Sequence, residues 1–168
     1  MRRLTTHLLG QRLTGALGTQ DAARQLKSLF DQAANMTEKL ACLRSLIPIE
    51  SMERDEAIEA FYADWKDNPL VIDKWFAVQA GQGKAADAER LSQHPDFDLS
   101  NPNRVRSVAA AFAMTNLAEF HAPDGSGHKV IGDIIEEADK RNPALAARLL
   151  TSFEQWKKLE PVAKASAK

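Results

Sequence analysis

Two histidines and an aspartate lie within the eight-residue stretch His121-Ala-Pro-Asp-Gly-Ser-Gly-His128. Zinc takes histidine nitrogens and carboxylate oxygens as ligands, so His121, Asp124 and His128 resemble a metal-ligand set. The same stretch contains two glycines and a proline, which are typical of a tight connection between helices. We therefore interpret it as a structural turn in which Asp124 or Ser126 caps the following helix. A small metallohydrolase built on these side chains is an alternative.

Three arginines lie close to predicted helix starts. Arg104 and Arg106 fall in the first two turns of a helix that begins after Asn101, and Arg148 falls in the second turn of a helix that begins after Asn142. Positive charge near a helix N-terminus interacts unfavourably with the helix dipole and lowers the stability by about 0.3 kcal/mol. Arginines are common on protein surfaces, so from the residues alone we interpret these three as surface charges. A functional role is the alternative, because a local rule is broken three times.

Other residues that could bind a ligand or react are interpreted as structural. The Asp124–Gly127 run has the glycines of a phosphate-binding turn, but it has neither a preceding strand nor the Lys-Ser/Thr pair of a P-loop. Cys42 lies between Leu40 and Leu43, with no histidine or aspartate nearby in the sequence, which is typical of a small buried residue. Five aromatic residues have the spacing of a helical core: Phe61, Tyr62, Trp65, Trp75 and Phe76.

The elements that position these residues begin at a recurring Asn-Pro pair. Asn68-Pro69, Asn101-Pro102 and Asn142-Pro143 each precede an apolar pattern of helical period. Asparagine is a strong N-cap because its side-chain oxygen accepts a backbone N–H, and proline is pre-set for the first helical position. The starts are 33 and 41 residues apart, near the period of two-helix solenoid repeats. These pairs therefore predict three helices with fixed starting points.

Apolar residues recur at helical spacing along most of the chain, and no stretch has a convincing strand pattern. Further helices are predicted over residues 3–17 and after the caps Thr19, Thr37 and Ser51. We predict an all-α fold of about nine helices, arranged as an irregular superhelical array of stacked helix pairs similar to armadillo or HEAT solenoids. Residues 1–158 are expected to form one domain, and residues 159–168 a frayed tail.

Composition excludes several classes of function. The chain of 168 residues has a net charge of −1, so it lacks the basic excess of a nucleic-acid-binding protein. Its apolar runs are short and interrupted by charge, so no membrane span is expected. One cysteine permits no internal disulfide. No apolar signal-peptide core follows Met1, and we expect a cytoplasmic protein.

Six segments, in this order, resemble the C-terminal region of the bacterial-type aminopeptidase N (alanyl aminopeptidase) family of zinc metallopeptidases. The resemblance covers roughly residues 1–160. The segments are Asn35-Met-Thr-Glu-Lys-Leu40, Phe61-Tyr-Ala-Asp-Trp-Lys66, Pro69-Leu-Val-Ile-Asp-Lys-Trp-Phe76, Asn101-Pro-Asn-Arg-Val-Arg-Ser107, Phe120-His-Ala-Pro-Asp-Gly-Ser-Gly127 and Asn142-Pro-Ala-Leu-Ala-Ala-Arg-Leu149.

The resemblance implies a position and a role within a longer protein. In that family a helical C-terminal domain follows a β-rich domain, a thermolysin-like catalytic domain and a small β-sandwich. Its helices close over the active site and leave a channel for peptide entry. Two family arginines that face this channel correspond to Arg106 and Arg148.

The sequence departs from the family pattern where the chemistry would be. The zinc motif H-E-x-x-H and the loop that holds the free amine of the substrate are both absent, and the chain ends before the last family helices. We therefore expect no catalytic residue and no cofactor in this chain, with zinc in the catalytic domain of the parent. The implied partners are that catalytic domain and a peptide in transit, with no nucleic acid and no membrane. A stand-alone helical scaffold for protein interactions is the alternative.

Overall fold

The computed structural model describes residues 18–158, and all regular secondary structure in this range is helical. The helix predicted over residues 3–17 and the tail at 159–168 lie outside the described residues. The α-helices are α1 Thr19–Gln32, α2 Met36–Leu46, α3 Met52–Trp65, α4 Pro69–Gln82, α5 Ala85–Ser92, α6 Pro102–Thr115, α7 Leu117–Phe120, α8 Ser126–Asp139 and α9 Pro143–Leu150. A 3-10 helix, Thr151–Lys158, follows α9. The all-α prediction is confirmed.

The chain divides into two compact units, Met1–Val78 and Gln79–Lys168. The boundary falls within α4. The assignment of residues 1–158 to one domain stays a prediction. No helix within residues 18–158 is long and apolar enough to cross a bilayer.

In the first unit, α1, α2 and α3 pack against one another around buried apolar side chains such as Phe30 and Leu43. The predicted aromatic core is confirmed for Phe61, Trp75 and Phe76, which are buried. The indole Nε1 of Trp75 donates to a backbone carbonyl of α3 at 3.0 Å, so its polar atom is satisfied. Tyr62 and Trp65 are half-buried and pack against these rings.

Cys42 lies on the buried face of α2. Burial, followed by the nearby Glu38 carboxylate, raises the pKa of the thiol to about 11. A thiol with such a pKa stays protonated at neutral pH and is a poor nucleophile. The interpretation of Cys42 as a structural residue is confirmed.

The Asn-Pro pairs begin helices as their sequence predicts. The side-chain oxygen of Asn101 accepts from the backbone N–H groups of Asn103 and Arg104, at 3.0 and 3.4 Å. Asn142 accepts from the third residue of α9 at 3.0 Å, and Asn68 accepts from the third residue of α4 at 3.4 Å. Each following proline is the first helical residue. These bonds satisfy backbone donors that a helix start leaves without internal partners.

Two other predicted caps are wrong. Thr19 is the first residue of α1, and the N-cap is Gly18 with φ +80°. Thr37 lies inside α2, which Asn35 caps by accepting from the backbone N–H of Glu38 at 3.0 Å. The Glu38 carboxylate accepts in return from the backbone N–H of Ala34 at 3.1 Å. This exchange satisfies the backbone N–H groups of Ala34 and Glu38. A helix capped at Thr37 would begin later and would not include this pair of hydrogen bonds.

In the second unit, α6 packs against α5, α7, α8 and α9. Its buried face contains Val105, Val108 and Phe112, as the apolar spacing predicts. The amide nitrogen of Asn116, at the end of α6, donates to backbone carbonyls of Ala80 and Gly83. Asn116 is both the C-cap of α6 and the N-cap of the short helix α7, so these contacts hold the junction of the two helices.

Candidate functional site

The three metal-ligand candidates do not converge on one point. Nδ1 of His121 lies 2.9 Å from Nε2 of His128, so the two imidazoles share a hydrogen bond. The Asp124 carboxylate instead accepts from the backbone N–H and the hydroxyl of Ser126, at 3.0 and 2.7 Å. These two bonds lower the pKa of Asp124. The side chains are committed to other partners, and this donor arrangement does not fit a zinc ion, which takes three or more protein ligands.

No group of three histidine, cysteine or carboxylate side chains within residues 18–158 is arranged to hold a metal ion. The metallohydrolase alternative therefore has no support in the described part of the chain. We derive no chemical step through zinc from these residues.

The predicted cap of α8 is also corrected. The N-cap is Gly125, with φ +75°, and Ser126 is the first helical residue. The left-handed region favours glycine because a Cβ is strained there. Asp124, one of the two residues predicted as the cap, lies one position before the N-cap and accepts the first backbone N–H of the helix. The interpretation of the stretch as a tight structural turn is confirmed.

The two histidines belong to an aromatic cluster, which we define as Phe112, Phe120, His121, His128 and Phe153. The Phe120 ring lies at its centre, 4.6 Å from the His121 ring and 5.0 Å from the His128 ring, between ring centroids. The Phe153 ring lies 5.1 Å from that of Phe120. The sequence did not indicate this cluster, because its members come from four separate elements. Helical spacing of apolar residues predicts which side chains are buried within one element, but it does not predict which elements meet.

A close approach of two helices sets the position of the cluster. A Cβ at Gly127 would lie 2.3 Å from the carbonyl oxygen of Glu119 and 2.6 Å from that of Phe120. The first turn of α8 therefore rests directly on the backbone of α7. The glycine is required here by space between backbones, because its own φ is negative.

The three candidate arginines divide into two kinds. Arg104 is only 6% exposed, and its guanidinium donates to the backbone carbonyl of Asp96 in the loop before α6. It holds that loop against the helix, so its role is structural. A signal was present in the sequence, since Arg104 lies four residues before Val108 and shares its buried face.

Arg106 and Arg148 are exposed. The Arg106 guanidinium donates to the side-chain oxygen of Asn103 at 2.7 Å. The helices that bear the two arginines, α6 and α9, are in contact. Both guanidinium groups are therefore accessible to an anionic group on this unit, and the channel role of the arginines stays a prediction.

A groove of about 610 Å³ lies between α8 and α9. Small residues, among them Gly132, Ala146 and Ala147, form part of its wall, and Ile135 and Leu150 supply apolar surface. His128 and Phe153 of the aromatic cluster also line it. Neither Arg106 nor Arg148 does. The sequence did not predict the groove, because its lining residues come from separate elements, mainly α8 and α9.

Residues 18–158 thus form an all-helical array in which no three metal-binding side chains converge. The whole chain, residues 1–168, matches the model of the family described as "Domain of unknown function (DUF3458_C) ARM repeats", and the chain belongs to that family. The armadillo-type helical array predicted from the sequence is confirmed at this level.

The relatives of the chain are aminopeptidases. It is 37% identical over 163 residues to aminopeptidase N of Caulobacter vibrioides, with 95% of this chain and 19% of the relative covered. It is 39% identical over 134 residues to aminopeptidase N of Escherichia coli, with 78% of this chain and 15% of the relative covered. The structure of Legionella pneumophila aminopeptidase A in complex with aspartic acid matches with a TM-score of 0.80, at 35% identity, over 90% of this chain and 18% of that one.

The chain thus spans less than a fifth of the length of these relatives. It is homologous to the C-terminal helical domain of aminopeptidases, and the resemblance to aminopeptidase N is confirmed.

Proposed function

We propose that this chain is the non-catalytic helical domain of a cytoplasmic zinc aminopeptidase that removes N-terminal amino acids from peptides. Within the longer protein it covers the active site and lines the channel through which peptides reach it. The observation that carries the proposal is the match of nearly the whole chain to under a fifth of aminopeptidase N. Its partners are then the catalytic domain of the same polypeptide, which supplies the zinc, and the peptide in transit.

The arginines give the channel wall a chemical function. Arg106 and Arg148 each add a positive charge to the surface of helices in mutual contact. A peptide approaches with a negative carboxyl terminus, and some peptides also have acidic side chains. Attraction between exposed charges acts over about 8–10 Å at moderate ionic strength and weakens as salt is added. The two arginines therefore attract the carboxylate groups of a peptide towards the channel, and this effect is salt-dependent.

Replacing both arginines with alanine in the full-length enzyme tests the proposal. At low salt we expect kcat/KM for peptides of several residues to fall by about threefold to tenfold, the equivalent of roughly 0.7–1.4 kcal/mol. At high salt the difference from the wild type should shrink, because screening removes the attraction. Steady-state kinetics at both salt concentrations measures this.

The matched control is the Arg24→Ala/Arg44→Ala double variant, which removes the same charge from exposed positions on α1 and α2 of the first unit. It should keep wild-type kinetics at both salt concentrations. Unchanged kinetics in the Arg106/Arg148 variant would identify these arginines as ordinary surface charges. An equal loss in the control variant would attribute the effect to net charge.

A further inference from the structure

The contact between His121 and His128 joins the end of α7 to the first turn of α8 in the second unit. His121 follows α7, and His128 lies in the first turn of α8 with 4% of its surface exposed. Their nitrogens are 2.9 Å apart. Phe153, from the 3-10 helix that follows α9, packs on the His128 ring with centroids 5.5 Å apart and also on Phe120. The histidine pair therefore forms part of the surface that holds the C-terminal 3-10 helix.

This contact permits only one hydrogen between the two facing nitrogens. In the neutral pair one imidazole donates and the other accepts. When both rings are fully protonated, both facing nitrogens carry hydrogens, so the bond is lost and two positive charges face each other. Two like charges at this separation repel strongly where water is excluded.

We propose that the His121–His128 pair is an acid-sensitive latch, which keeps Phe153 and the 3-10 helix packed on α7 and α8 and releases them when both imidazoles are protonated. Phe153 and His128 also line the groove between α8 and α9, so release changes one end of that groove.

The surroundings of His121 favour its neutral form. Burial lowers the pKa of His121 below its usual value. The charged groups on the elements around the pair lie towards the surface, except for Arg104, which donates to the Asp96 carbonyl. Asp124 is held by Ser126. These groups are Arg104 and Arg106 on α6, Glu119 on α7, Asp124 in the connection, Lys129, Asp133, Glu136, Glu137 and Asp139 on α8, Arg148 on α9 and Glu154 on the 3-10 helix. On α5, which packs against α8, they are Asp87, Glu89 and Arg90.

The direction of the pH effect follows from proton binding. An unfolded histidine titrates near pH 6.5, whereas burial lowers the pKa of His121 in the folded chain. Between these two values the open state binds more protons than the closed state, so acid favours opening. The latch is fully closed above pH 6.5 and weakens as pH falls below it.

Hydrogen exchange followed by mass spectrometry on the full chain tests this, with protection factors corrected for the intrinsic pH dependence of exchange. In the wild type we expect the protection of residues 151–154 to fall at least tenfold between pH 7.5 and pH 5. The His121→Phe variant keeps a ring and has no titrating group, so its protection should change less than threefold. His121→Gln provides a second non-titrating variant if the phenylalanine does not fit.

His94→Gln is the matched control. Burial also lowers the pKa of His94, but its Nδ1 accepts from the backbone N–H of Asp96, outside the pair. This variant should keep the acid-induced loss of protection at residues 151–154. The proposal would be overturned if the protection of residues 151–154 in the wild type did not depend on pH. It would also be overturned if both His121 variants lost as much protection in acid as the wild type, or if His94→Gln abolished the loss.

Discussion

The Phe120→Ala variant is expected to lose about 3–5 kcal/mol of unfolding free energy, which is the usual cost of truncating a buried phenylalanine. Phe120 is fully buried, and its ring contacts Phe112, His121, His128 and Phe153. Truncation would leave a cavity that the surrounding helices cannot fill without moving α7 away from α8. Chemical denaturation monitored by circular dichroism measures the loss.

The same short helix offers the control. Leu117 is 57% exposed, so Leu117→Ala should change the stability by less than about 0.5 kcal/mol. If the two variants had the same denaturation midpoint, the aromatic cluster would not be the core of the second unit.

The Gly127→Ala variant is expected to lose about 1–3 kcal/mol or more, because the new methyl group would meet backbone oxygens of α7 at 2.3 and 2.6 Å. Backbone atoms cannot rotate away as a flexible side chain does, so α7 and α8 would have to separate. This separation would also strain the His121–His128 hydrogen bond. Thermal or chemical unfolding of the variant measures the cost.

Gly132→Ala, in the same helix, is the matched control with the opposite sign. A Cβ at Gly132 meets nothing within 4 Å, and the position is helical. Alanine is favoured over glycine in a helix interior by about 1 kcal/mol, so this variant should be more stable than the wild type. Destabilisation by both substitutions, to the same extent, would show that close packing against α7 is not the reason for glycine at position 127.

The helices could be predicted from the sequence because the local signals for helix starts and buried faces agree with the packing. In each Asn-Pro pair the asparagine accepts a backbone N–H and the proline has the backbone angle of a first helical residue. The apolar residues that follow recur at helical spacing. Capping was harder to predict where several acceptors compete. Asn35 precedes Thr37 and has a glutamate three residues later, so the earlier cap satisfies more donors.

The site could be predicted only in part, because its contacts join residues that are distant in the sequence. The spacing of His121, Asp124 and His128 was compatible with a metal site, yet the turn directs the carboxylate to Ser126 and the two rings to each other. Nothing local to Phe153 indicated that it would pack on these rings. Arg104 and Arg106 have similar sequence neighbours, and only the helix face that each occupies separates a buried structural arginine from an exposed one.

The proposal that this chain is non-catalytic is tested most directly by assaying the purified 168-residue protein for zinc content and for hydrolysis of an alanyl anilide. Within residues 18–158 no three metal-binding side chains converge, and the sequence has no H-E-x-x-H motif. We expect less than stoichiometric zinc by elemental analysis and a hydrolysis rate equal to the blank. Hydrolysis above the blank, with stoichiometric zinc that is lost in a His121→Ala variant, would contradict the proposed function and identify the chain as a metallohydrolase.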